Sequence, residues 1–271
     1  MFLALVYVLS ATVVAAHGLP VMITADSGQL ATDKNIYTAT MESLGGLLYQ
    51  SELPGFGVQS TASGVPSGKS ISFNVVDNLF FWSAGALTEA PLPLTIENEA
   101  ADAVDIDHDT IFLSGLMIGA YNGAAGWHQH LYYTLPPNAP VGVYAVVLQL
   151  TAPGFETSAP FLLAFNRGET TDNFSVAVTA IGQSQFGTPG DANLDGQVDG
   201  ADYTIWADHF QSVGSLSEGD FNRDGQVDGA DYTIWADHFT PASAGALPIP
   251  EPSTWWLMLA ALLSITLVRV R

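Results

Sequence analysis

The chain has 271 residues, with 27 acidic side chains against 6 basic ones, a formal charge of −21 and no cysteine. That balance excludes a nucleic-acid binder, because phosphate contacts need cations, and it favours solubility and cation binding. Without disulfides, stability must come from an ordinary core and from bound metal.

Met1–Ala16 is an apolar run ending in Val14-Ala15-Ala16. Small residues at Val14 and Ala16 suit a signal peptidase, so 1–16 is expected to be a signal peptide and His17 the new N-terminus. The run is short for a membrane span. It has no basic residue ahead of its apolar stretch, and the alternative is an uncleaved anchor.

Residues 17–182 are expected to form one β-sandwich domain of about 165 residues, enough for a core. Ser70–Val76 alternates, with Ile71, Phe73 and Val75 on one face. Leu92, Leu94 and Ile96 alternate in the same way. Thr110–Leu113, Val143–Leu150, Phe161–Phe165 and Phe174–Val178 are further strand-like runs. Turn signals separate them: Pro54-Gly55, Pro136-Pro137-Asn138 and Pro153-Gly154. No stretch of this region holds a helical period, and short strands between turns argue a sandwich.

The chemistry of this domain lies in its histidines. In Gly126–Tyr133 (GWHQHLYY), a strand puts His128, His130 and Tyr132 on one face. Two imidazoles at i and i+2 can converge on one ion, and imidazole suits zinc and copper. His108 and His17 are the candidates to complete such a site. The alternative is an exposed polar face with two histidines. No G-x-S-x-G elbow, Cys nucleophile or H-E-x-x-H helix occurs, so no catalytic set is selected.

Residues 183–189 (QSQFGTP) read as a linker to a repeat. GDANLDGQVDGADYTIWADHF (Gly190–Phe210) returns as GDFNRDGQVDGADYTIWADHF (Gly219–Phe239), and only Ala192/Phe221 and Leu194/Arg223 differ. Each copy is a calcium loop. Positions 1, 3, 5, 7, 9 and 12 are Asp191, Asn193, Asp195, Gln197, Asp199 and Asp202. In the second copy they are Asp220, Asn222, Asp224, Gln226, Asp228 and Asp231. Gly196 and Gly225 take the sharp turn at position 6, and Gln197 and Gln226 offer their backbone carbonyls. Hard oxygen donors in this order suit Ca²⁺. Position 12 is Asp where an EF-hand has Glu, so the loop must close more tightly. After each loop, Tyr203, Trp206 and Phe210, or Tyr232, Trp235 and Phe239, mark one apolar helix face. Carboxylates crowded on a module with little core couple folding to metal binding.

Two near-identical D-x-N-x-D-G-x-V-D-x-x-D loops, each followed by a short helix, resemble a type I dockerin. The resemblance covers about a fifth of the chain, 190–241. It implies two bound Ca²⁺ and docking onto a cohesin-type partner protein. That family's contacts lie at loop positions 10 and 11, which here are Gly200-Ala201 and Gly229-Ala230, without hydroxyls. By analogy with the family it also suggests a link to polysaccharide breakdown and a glycan partner.

After a small-residue linker, 242–249, the chain continues with Pro250-Glu251-Pro252, an apolar stretch from Trp255 to Val268, and Arg269 and Arg271. Residues 250–271 resemble a PEP-CTERM sorting signal. The basic end fits a cytoplasmic stop. The resemblance implies a sorting protease at the membrane that removes this hydrophobic helix; a retained anchor is the alternative. Both place the body of the protein outside the cytoplasm.

Gly18–Asn166, with its N-terminal His-Gly, ISFNVVDNLFFW and WHQHLYYTL segments, is similar to bacterial PEP-CTERM surface proteins, some of them described as controlled by zinc availability. That similarity carries over first to His128 and His130, and then to His17 and His108. A His-Gly start on a β-sandwich also resembles copper polysaccharide monooxygenases, with His17 as first ligand and His128 or His130 as second.

Overall fold

A computed structural model describes residues 20–60, 63–65 and 67–240. The expected signal peptide, His17, the expected linker 242–249 and the expected sorting segment with its hydrophobic helix all lie outside the described residues. The strands in chain order are β1 Val21–Asp26, β2 Gln29–Thr32, β3 Ile36–Thr40, β4 Glu42–Ser43, β5 Tyr49–Ser51 and β6 Phe56–Val58. Next come β7 Lys69–Val75, β8 Phe80–Ser83, β9 Ala86–Glu89, β10 Leu94–Asn98 and β11 Ala103–Ile106. The last are β12 Leu113–Tyr121, β13 Trp127–Gln129, β14 Leu131–Leu135, β15 Gly142–Thr151 and β16 Phe161–Arg167. Three α-helices follow, α1 Thr171–Phe186, α2 Gly200–His209 and α3 Gly229–His238, with a short 3-10 turn at Leu216–Glu218 between the last two.

The body is mainly β and its sheets are open. One sheet runs β12-β7-β15-β16-β3, with the β8–β9 hairpin added on β15. The others run β11-β10-β14-β5-β4 and β13-β6-β1-β2. Pairing is antiparallel except for β1 with β6 and β16 with β3. The main core gathers alternating inward residues from all three sheets: Ile71, Phe73 and Val75 of β7, Leu94 and Ile96 of β10 with Tyr133 and Leu135 of β14, and Val21 and Ile23 of β1.

β15 is the central strand and explains its own composition. Tyr144, Val146, Leu148 and Leu150 face the main core. Val143, Ala145 and Val147 face the other way, into a second core with Ala177 and Ile181 of α1. A strand covered on both faces is a continuous apolar run.

α1 corrects two expectations. Phe174–Val178 is helix, not strand, and the first four residues of the expected 183–189 linker belong to that helix. Thr170 starts it by accepting the Asn173 N–H. Ala177 and Ile181, four apart, then lie on one face against β15. Thr110–Leu113 is also corrected: only Leu113 is in a strand, and Thr110 instead accepts the Asp107 N–H with its hydroxyl, closing a turn.

Candidate functional site

The repeat folds as two closed loops, each feeding a helix. In the first, Asp191 accepts the N–H groups of Asp195 (3.2 Å) and Gly196 (2.9 Å). Asn193 accepts Asp195 N–H and Asp195 accepts Gln197 N–H, each at 2.9 Å. The second loop repeats these contacts. Asp220 takes Asp224 and Gly225, Asn222 takes Asp224, and Asp224 takes Gln226. Short side chains that accept from backbone two residues on are how Asx turns form.

Position 12 closes each ring. Asp202 is fully buried and accepts from Ala192 (2.9 Å), Asn193 (3.1 Å) and Asp199 (2.8 Å). Asp231 accepts from Asn222 and Asp228, both at 2.9 Å. Asp199 and Asp228 in turn cap α2 and α3, so position 9 and position 12 form a capping box. The shorter Asp thus ties the loop's start to the helix's first turn.

The helices lock the two copies together. Trp206 donates its indole N–H to the Asp228 carbonyl, and Trp235 donates to the Asp199 carbonyl, both at 2.9 Å. Tyr203 lies 5.2 Å from Trp235, and Tyr232 lies 5.3 Å from Trp206, between ring centroids. Phe210 and Phe239 extend the row beyond each Trp. The expected aromatic helix faces therefore meet each other, while Tyr203, Phe210, Tyr232 and Phe239 remain partly exposed.

As drawn together here, the carboxylates are turned to backbone N–H groups. Among the described residues no group of three or more His, Asp or Glu side chains converges as a ready metal cage. The donor set nevertheless fits a hard cation. It is all oxygen, its spacing is kept twice, and a carboxylate has about four lone-pair sites, of which two or three are used. In the second loop burial and like charge act on the same carboxylates. Burial pushes the Asp220 carboxyl up to about 7, and the negative charges of Asp231 and Asp224 add to the rise. Burial also raises Asp231. Crowded acids of this kind are relieved by a bound cation.

The histidine pair is partly as expected. The rings of His128 and His130 lie 4.5 Å apart between centroids, edge to face. They do not share one strand, which corrects the expectation. β13 ends at Gln129 and pairs with β6, whereas β14 begins at Leu131 and pairs with β10 and β5. His130 sits at the crossing between two sheets, with Nδ1 3.3 Å from the Glu52 carbonyl oxygen. His128 lies across β6, where Gly55 and Gly57 leave room. A Cβ on Gly55 would sit 2.7 Å from His128 Nε2. A cleft of about 380 Å³ opens beside it, lined by Met22, Lys34, Gly57, Trp127 and His128 among others. His108 is not brought into a cage with the pair; its Nε2 lies 3.5 Å from Asp109.

Sequence reasoning missed a contact between the repeat and the β-body. Arg223, 5% exposed, donates to the Gln185 side chain at 3.0 Å and to the Gln185 carbonyl. Its Nη1 also lies 3.8 Å from Asp77. The signal was present: Arg223 is one of two places where the copies differ.

No protein-family model and no curated protein matches this chain. Among solved structures it is similar to the CooA pilin subunit from enterotoxigenic Escherichia coli, at 11% identity over 48% of this chain and 87% of that one, with a TM-score of 0.24. It is similar to the CupB6 tip adhesin from Pseudomonas aeruginosa at 12% identity, over 56% of this chain and 41% of that one, with a TM-score of 0.22. The PapD-like domain 7 of human CEP192 matches at 13% identity, over 50% and 82%, with a TM-score of 0.21. Likeness this distant carries no argument about activity. No helix among the described residues is long and apolar enough to cross a membrane.

Proposed function

We propose that this chain is an exported, envelope-associated surface protein in which a β-sandwich body carries a dockerin-like module that binds two Ca²⁺. One observation carries the reading. Both loops close through matching hydrogen bonds, in which side-chain oxygens at positions 1, 3, 5, 9 and 12 accept backbone N–H groups. Asp191, Asn193, Asp195, Asp199 and Asp202, with the Gln197 carbonyl, would hold one ion. Asp220, Asn222, Asp224, Asp228 and Asp231, with the Gln226 carbonyl, would hold the other. The ion would neutralise carboxylates that otherwise repel. The partly exposed aromatic row supports a docking role toward a cohesin-type protein, since exposed apolar patches mark interaction sites. The PEP-CTERM-like tail supports placement at the envelope.

The test is thermal unfolding of the full chain in calcium and in chelator. A ligand held only by the folded state stabilises by RT ln(1 + [L]/Kd), about 2.7 kcal/mol per site at 100 Kd. A rise in Tm that saturates with calcium is expected. Identical Tm values in calcium and chelator would remove the reading.

A further inference from the structure

The two loops share their ligands but not their surroundings. Loop position 4 is Leu194 in the first copy, 43% exposed, and Arg223 in the second, 5% exposed. Both have a left-handed backbone, with φ of 60°, so the loops hold these side chains alike and only the chemistry differs. Position 6 shows the same asymmetry. A Cβ on Gly196 would meet nothing within 4 Å, whereas one on Gly225 would lie 2.9 Å from Phe112 of the β-body. The turn of the second loop is seated on the body and that of the first is open; Leu194 of the first loop only borders a small cleft beside Asp77 and Gln185 and brings no polar group to it.

Arg223 makes that seat specific. Gln185 lies in the last turn of α1, where carbonyls have no partner within the helix. α1 has no basic residue of its own in that turn. Arg223 supplies the cation from the other module and satisfies the Gln185 carbonyl. Its second neighbour, Asp77, is 3% exposed and accepts the Asn78 N–H at 2.8 Å. A guanidinium this buried is tolerated only where acceptors surround it. Its position depends on the loop, because Asn222 and Asp224, the residues on either side, are proposed ligands.

We infer that filling the second loop with a divalent cation fixes Arg223 against Gln185 and Asp77, and so tightens the β-body, whereas filling the first loop does not. The inference rests on the calcium reading above. It makes the module a sensor read by its own chain: the loop that carries Arg223 reports metal to the β-body, and the loop that carries Leu194 does not.

The experiment is hydrogen exchange by mass spectrometry on the full chain, with calcium or chelator, alongside a count of bound calcium. Peptides covering 76–80 and 181–186 are the readout. Calcium should slow their exchange by about tenfold in the wild type. Asp195→Ala should keep that slowing and Asp224→Ala should lose it. Arg223→Leu, which copies the residue of the first loop, should still bind two calcium ions and yet lose the slowing. Equal effects of Asp195→Ala and Asp224→Ala would overturn the inference, as would retained slowing in Arg223→Leu. Two calcium ions bound without slowing would overturn the coupling alone. No calcium bound by the wild type would overturn the calcium reading as well.

Discussion

The indole N–H of Trp206 donates to the carbonyl oxygen of Asp228 at 2.9 Å. That bond joins the helix of one copy to the loop of the other, and Trp235 returns it to Asp199 at the same distance. Each loop therefore holds its position 9 against the neighbour's helix. The two copies form one unit rather than two beads.

Trp206→Phe tests this reciprocity. It keeps an aromatic ring but removes the indole donor, leaving the Asp228 carbonyl with only the longer bond from the Tyr232 N–H at 3.4 Å, at a cost of about 1 kcal/mol. Calcium affinity should fall mainly at the second loop, although the substitution is in the helix of the first. Trp235→Phe should do the reverse. Calorimetry on each variant separates the sites, and a loss confined to the mutated copy's own loop would contradict the cross-link.

Asp77 sets a pH dependence. Burial holds its carboxyl up at about 6; Arg223 opposes the rise and Glu218 adds to it. In the unfolded chain an Asp titrates near 4, at about 3.9. The folded state thus holds this proton more tightly. The stability it contributes is full below about pH 4 and is lost as pH rises through about 6. Denaturant unfolding between those values should show a decline of a few kcal/mol at most. Asp77→Asn cannot ionise and should flatten that part of the curve. An identical pH profile in the variant would contradict the assignment.

Gly55 tests the packing around the histidine pair. Gly55→Ala puts a methyl 2.7 Å from His128 Nε2 and 3.1 Å from the Gln129 carbonyl oxygen. The ring must leave β6, and overpacking of this kind costs about 1–3 kcal/mol. Denaturation should show that loss, and the ring resonances of His128 and His130 should shift together. A variant with wild-type stability and unchanged histidine resonances would mean that the ring does not rest on that glycine.

Some of this was legible in the residues and some was not. Ile71, Phe73 and Val75 announced β7 through their alternation, and Val143–Leu150 announced a strand, but its burial on both faces depends on α1 and was not read from the sequence. The turns of the two loops were legible because Asx turns are set by residues only two apart. Phe174–Val178 was misread because FSVAV has the composition of a strand. What makes it helix is the cap at Thr170 and the face that α1 lays on β15, a surface distant in sequence. The proximity of His128 and His130 was legible as well. Their sheet crossing was not, because β13 pairs with β6 and β14 with β10, far up the chain. Asp77 and Arg223 lie so far apart that only the difference between the repeat copies hints at their meeting.

The most direct test of the central claim is the number of calcium ions bound by the full chain, measured by calorimetry. The account predicts two equivalents for the wild type and one each for Asp195→Ala and Asp224→Ala. Binding should be accompanied by a gain in helix signal as the carboxylates are neutralised. A wild type that binds no calcium, or single variants that still bind two equivalents, would contradict it.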